Sequence, residues 1–210
     1  MRPRVILLTS VIALALMFNL PSARALQATD PSMLINNLVS EAIANITDKQ
    51  EANTDRETKF RALLEAGFDI PRISRFVLGR YWNVASDEQR QHFAALFEEW
   101  VVRTYSARFT QYSGETIRVI GTRPESEITT VVISQFTSPN GAPPAKVEWH
   151  VRKQADGSFK IIDVSVEGIS MALTQHDEIA SIADRNGGTT EGLNRALEAN
   201  LASRNTTAAK

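Results

Sequence analysis

The chain has 210 residues, with 23 Lys and Arg against 24 Asp and Glu and 43% hydrophobic residues. That balance excludes a disordered chain and a strongly basic nucleic-acid-binding domain, and the length suits one domain. With no cysteine, there is no disulfide, thiolate metal site, iron–sulfur cluster or cysteine nucleophile.

Arg2 and Arg4 precede an apolar run over residues 5–18, too short to span a bilayer. Ala23-Arg24-Ala25 then supplies a small-x-small cleavage pattern, so residues 1–25 are expected to be a cleavable signal peptide. Those residues hold three arginines and no acid, so the exported chain, starting at Leu26, is mildly acidic. An exported domain without disulfides must be held by its core alone. Residues 26–203 are expected to form that domain, and residues 204–210 a disordered polar tail.

Asp30-Pro31 predicts a helix start, followed by Leu34, Ile35, Leu38, Val39, Ala42, Ile43 and Ile46 at helical spacing. Thr54-Asp55-Arg56-Glu57 reads as a capping box. It opens a second helix striped with Phe60, Leu63, Leu64 and Phe68 and ending at Gly67. A short third helix over residues 69–78 stops at Gly79. Ser86-Asp87-Glu88-Gln89 is another capping box, and the long helix after it carries Phe93, Phe97, Trp100, Val101, Tyr105 and Phe109. On pattern alone that stripe is either ordinary core or a wall around something large and apolar.

After Gly114 the period changes. Residues 115–120, 126–136, 145–153 and 158–166 read as four strands, with turns at Gly121-Thr122-Arg123-Pro124, residues 139–144 and Ala155-Asp156-Gly157. Connections this short predict an antiparallel meander. Val147, Trp149 and Val151 share one face, as do Ile162, Val164 and Val166, so one side of the sheet is greasy and the other wet. Two helices close the chain, residues 169–185 and from Thr189 onward. The order predicts an α+β fold in a single domain. Helices would pack on the apolar face of a curved, antiparallel four-stranded meander and enclose a hydrophobic cavity.

Chemistry is sparse. Gly168-Ile169-Ser170-Met171-Ala172 approaches the G-x-S-x-G nucleophile elbow, but that elbow belongs to a parallel sheet, and the one later histidine, His176, lies on the same helix. It reads better as a strand-to-helix turn. His92, His150 and His176 have no metal-ligand spacing, and no phosphate-binding glycine loop occurs. No catalytic residue, metal ligand or cofactor is assigned. A helix-covered curved sheet also suits a cone-fold enzyme or small-ligand-binding protein of the nuclear-transport-factor type, which stands as the alternative.

Three stretches carry a family resemblance: Tyr81-Trp82 with Asp87-Glu88-Gln89-Arg90-Gln91-His92-Phe93; Val102-Arg103-Thr104-Tyr105; and residues 157–171, whose core is Asp163-Val164-Ser165-Val166-Glu167-Gly168-Ile169-Ser170. Together the chain resembles the toluene-tolerance/Mla family of periplasmic phospholipid-binding proteins, the MlaC-like carriers. It departs from the family's usual Trp at Phe159, its Tyr at Ile162, and its Asn-Tyr-Arg run near Thr174-Gln175-His176. The resemblance implies a periplasmic carrier with no catalytic centre. Its ligand would be a phospholipid, or a hopanoid-type lipid in a divergent branch. Its partners would be an outer-membrane lipoprotein complex and the substrate-binding subunit of an inner-membrane ABC transporter. A monomer is expected. Stripe and strand face select Phe93, Phe97, Trp100, Val101, Tyr105, Phe109, Trp149, Val151, Val164 and Val166 as the lipid-binding wall.

Overall fold

The computed structural model describes residues 28–208, so the signal-peptide segment lies outside the described residues. Helix α1 (Pro31–Ile46) starts where the sequence predicts, with the Asp30 carboxylate accepting the Met33 N–H at 2.9 Å. Helix α2 (Asn53–Gly67) departs from expectation. It starts at Asn53 without a side-chain cap, and the box predicted at Thr54 does not form. Arg56 is the reason. It is 2% exposed and donates to the carbonyls of Ile46, Asp48 and Glu51 and to the Asn53 side chain. The many donors of one guanidinium thus satisfy the turn between α1 and α2 from inside.

Helix α3 (Ile70–Leu78) is capped by Asp69, which accepts the Arg72 N–H at 3.1 Å. A 3₁₀ turn (Gly79–Asn83) leads to α4 (Asp87–Ser106). Both reciprocal bonds of the Ser86/Gln89 capping box are present there. A second 3₁₀ turn (Ala107–Gln111) ends the helical half.

The sheet is open and wholly antiparallel, in the order β1 (Thr116–Pro124), β2 (Thr129–Thr137), β3 (Ala145–Lys153), β4 (Phe159–Val166), β5 (Ile169–Ser170). The predicted meander is present with two corrections. A two-residue fifth strand joins the four expected. Also, Gly121-Thr122-Arg123-Pro124 is strand and not turn. The register slips between Val119 and Gly121, leaving Ile120 58% exposed. Ile120 is thus an extra, unpaired residue, and β1 bulges there and continues instead of reversing.

A second slip, between His150 and Val151, sets Val151 opposite Ile161 but Trp149 opposite Val164, making Ile162 the extra residue of β4. Glu167 (φ 51°) and Gly168 (φ 80°) both have positive φ, as the tight two-residue turn from β4 to β5 requires. Helices α5 (Met171–Arg185) and α6 (Thr190–Ala208) follow. The backbone of α6 is helical to Ala208, over part of the segment expected as a tail. Where α3 ends, Gly79 has φ 57° and ψ −128°, a conformation that favours glycine, and it packs beside the His176 ring of α5.

Burial falls into two main clusters. Leu34, Ile35, Leu38 and Leu63 of α1 and α2 cover Val132, Trp149, Val151 and Ile161 of the sheet. Val77 and Leu78 of α3, Phe93, Phe97 and Trp100 of α4, Ile179 of α5 and Leu193 and Leu197 of α6 form an all-helical core. Leu64, Ile70 and Val102 make a small bridge between them.

Candidate functional site

The two clusters do not close fully on each other. Between them lies a cavity of about 420 Å³. Its floor is the inner sheet face, with Ile117, Val147, Trp149, Ile162, Val164 and Val166. Its roof is Phe60, Leu64 and Phe68 of α2 and its end, Ile70 and Ile73 of α3, Phe97, Val101 and Tyr105 of α4, Phe109 on the 3₁₀ turn, and Met171 and Ala172 of α5. Trp149 satisfies its own indole N–H within the sheet, donating to Ser134 Oγ at 2.8 Å, so it presents an apolar surface to the space.

Seven of the ten residues selected from the sequence line this cavity: Phe97, Val101, Tyr105, Phe109, Trp149, Val164 and Val166. Phe93, Trp100 and Val151 do not. At 3.6 residues per turn, Trp100 and Val101 point about 100° apart. Phe93, Phe97 and Trp100 stack in series toward α5 and α6, with centroids 5.8 and 6.3 Å apart, while Phe97, Val101 and Tyr105 turn toward the sheet. Val151 shares the inner sheet face but lies in the cluster filled by α1.

The sequence reading left out the helical wall opposite. Its signal was available in the i, i+4, i+8 spacing of Phe60, Leu64 and Phe68. Nothing in the sequence pattern singled out Arg108 or Gln175, which also line the cavity.

Arg108 and Val166 are the exposed residues of the lining, and they mark the mouth. Beyond it, Ile169, paired with Val166, is 66% exposed and Leu173 51% exposed, which gives the mouth an apolar rim. A separate groove of about 590 Å³ runs outside α2, α3 and α4. Glu65, Pro71, Gln91 and Ala95 of its wall are exposed, so it is a surface feature, and the interior cavity is the candidate site.

The polar groups of the cavity are few. Asp163 Oδ1 accepts the N–H of Val164 at 2.7 Å and of Ala172 at 2.9 Å, and Oδ2 accepts the Ser170 hydroxyl at 2.6 Å. Ser170 Oγ in turn accepts the Leu173 N–H at 3.0 Å. The near-elbow is therefore the N-cap of α5 clamped by a carboxylate, as the turn reading expected. Glu167 completes the motif by accepting the Lys146 N–H.

Tyr105 Oη accepts Gln175 Nε2–H at 3.3 Å, and the Arg108 guanidinium lies 5.0 Å from the Tyr105 ring centre. Burial pushes the Tyr105 phenol up, and Glu178 adds to that, against the opposing pull of Arg108 and the Gln175 hydrogen bond. Among the described residues no group of three His, Asp or Glu could hold a metal ion. The site as built can enclose an apolar body and meet a polar end at its mouth.

The model of the family described as MlaC protein matches residues 36–199. The chain belongs to the MlaC family. A curated relative is the intermembrane phospholipid transport system binding protein MlaC of Haemophilus influenzae. It is 22% identical over 168 residues, covering 77% of this chain and 78% of that protein. Among solved structures, the phospholipid-binding protein from Ralstonia solanacearum in complex with a phospholipid superposes with a TM-score of 0.71 at 21% identity. The match covers 85% of this chain and 97% of that one. The family that the three stretches at residues 81–93, 102–105 and 157–171 resemble is thus the chain's family, and the neighbour shares its α+β fold.

Proposed function

We propose that this protein is a periplasmic carrier that holds a phospholipid by its acyl chains and passes it between membrane-bound complexes. The cavity carries the reading: a chamber of about 420 Å³ between sheet and helices, apolar on its floor and roof, with its exposed lining confined to Arg108 and Val166. The names of the Haemophilus relative and the Ralstonia neighbour support a phospholipid as the cargo. A hopanoid-type lipid is the alternative occupant of the same space. The donor and acceptor complexes of this reading are an outer-membrane lipoprotein complex and the substrate-binding subunit of an inner-membrane ABC transporter. Cleavage after Ala25 would deliver the chain to the periplasm.

Volume and energy both bear on the mechanism. At about 420 Å³ the cavity is far larger than the space a single water needs, and its apolar lining suits acyl-chain methylenes. Burial of an acyl chain contributes about 0.8 kcal/mol per methylene, a large gross term over a long chain. The bilayer offers the same term. Loading and unloading are therefore close to balanced, which suits a carrier better than a trap.

The test is native mass spectrometry of protein purified from the periplasm, with lipid extraction of the same sample. The expected result is a protein starting at Leu26 with one glycerophospholipid bound. Protein that carries no lipid and takes none up from phospholipid vesicles would refute the reading, and a bound hopanoid would reassign the cargo.

A further inference from the structure

We infer that Tyr105, Arg108 and Gln175 form a polar anchor at the cavity mouth that binds the phosphate and a headgroup hydroxyl of a polyol glycerophospholipid such as phosphatidylglycerol; this rests on the carrier reading above. The first observation is an unmet hydrogen bond. Gln175 is 9% exposed and lines the cavity, and while its Nε2 donates to Tyr105, its Oε1 has no partner. A buried amide acceptor without a donor is costly, and native structures keep one where something else completes it. A hydroxyl of the headgroup glycerol of a phosphatidylglycerol would be that donor, since the phosphate and the fully esterified backbone glycerol of a diacyl lipid offer only acceptors.

The second observation is where the neighbouring groups sit. Tyr105 Oη accepts from Gln175, which leaves its own proton available to donate into the cavity. Arg108 is exposed at the mouth, forms no ion pair with any described residue, and is steadied by the Tyr105 ring 5.0 Å from its guanidinium carbon. A planar guanidinium with parallel N–H groups matches two phosphate oxygens.

The acidic groups nearby do not cancel this. Asp163 spends its carboxylate on Val164, Ala172 and Ser170, and Glu178 is exposed. Donors at the mouth and apolar walls behind it fix the orientation of the ligand. The phosphate stays at Arg108, and the chain runs inward past Val101, Phe97 and Trp149.

The experiment uses delipidated, exported-length protein as wild type, Arg108→Gln and Tyr105→Phe, each first checked for a wild-type thermal melt. Binding is measured to a palmitoyl-oleoyl phosphatidylglycerol, to the diacylglycerol with the same chains, and to inorganic phosphate. Wild type should prefer the phospholipid over the diacylglycerol by about tenfold, from one charge-assisted contact at a wet mouth. Arg108→Gln should erase that preference, and Tyr105→Phe should reduce it by about threefold. Inorganic phosphate should bind more than about 100-fold more weakly than the phospholipid, because the chain supplies most of the affinity. Equal wild-type affinity for both lipids, or an unchanged preference in Arg108→Gln, overturns the anchor while the carrier survives. Failure of wild type to bind either lipid overturns the carrier itself. Phosphate that binds as tightly as the phospholipid would reassign the site to the free ion and overturn the headgroup assignment.

Discussion

Asp163 shows how little room for chemistry a motif residue can have. Its two carboxylate oxygens take three donors, one in its own strand and two at the start of α5, and Ser170 closes the cap on Leu173. Losing the acceptor strands those donors at a partly buried joint. Asp163→Ala should therefore cost about 2–4 kcal/mol in urea denaturation, and Ser170→Ala about 1 kcal/mol. An Asp163→Ala variant within about 0.5 kcal/mol of wild type would mean that water replaces the clamp at no cost. The sequence showed the Asp-Val-x-x-Glu-Gly-x-Ser run as a family mark, yet not what it does. Its meaning depends on Ala172, Ser170 and Lys146 reaching Asp163 and Glu167 across a turn. Gln175 was illegible for a similar reason: an orphaned oxygen is a property of its surroundings, not of its position in a helix.

At the scale of elements, periodicity was legible where one force acts and misleading where two compete. Asp30, Asp69, Ser86 and Ser170 cap helices through side-chain bonds that need only local residues. The box at Thr54 fails because Arg56 is drawn into the α1–α2 turn, a tertiary demand. Ionic ties across helices were equally invisible in sequence. Glu99 on α4 receives Arg61 of α2 and Arg103 of its own helix, and Arg103 also donates to the Leu201 carbonyl of α6 at 3.0 Å. Burial alone would raise the Glu99 carboxyl, but hydrogen bonds from Arg103 and Arg61 outweigh it and hold it below the usual carboxylate range. A carboxyl lowered on folding contributes stability above its unfolded value, near 4.3, and loses it as pH falls through the lower folded value. Acid titration of the unfolding free energy should show that loss below about pH 4. Glu99→Gln should flatten it and lower stability at neutral pH by about 1 kcal/mol, since the site is only partly shielded from water. An unchanged acid limb in Glu99→Gln would place the pH sensitivity elsewhere.

For the molecule as a whole, the sequence determined which faces are apolar but not whether they meet. The long helix was read as one aromatic wall, whereas Phe97 belongs to both the helical core and the cavity, and Trp100 to the core alone. That difference makes the pair a probe of the carrier reading. A ligand that binds only the folded state stabilises it by about 2.7 kcal/mol at a hundredfold excess over its dissociation constant. Stripping lipid should then lower the wild-type melting midpoint by about 5–10 °C for a domain of this size. Truncating either ring costs about 3–5 kcal/mol if the hole stays empty. Around Trp100 the neighbours are fixed side chains, so its deficit should be the same with and without lipid. Around Phe97 an acyl chain can occupy part of the vacated volume. Phe97→Ala should therefore be less destabilised when loaded than when stripped. The measurement is a set of thermal melts of wild type, Trp100→Ala and Phe97→Ala, each loaded with phosphatidylglycerol and delipidated. If lipid shifts the wild-type midpoint but narrows the Trp100 deficit and not that of Phe97, the chain lies on the other side of α4, among α5 and α6. If lipid shifts nothing, the space between sheet and helices binds no chain, and the carrier reading falls with it.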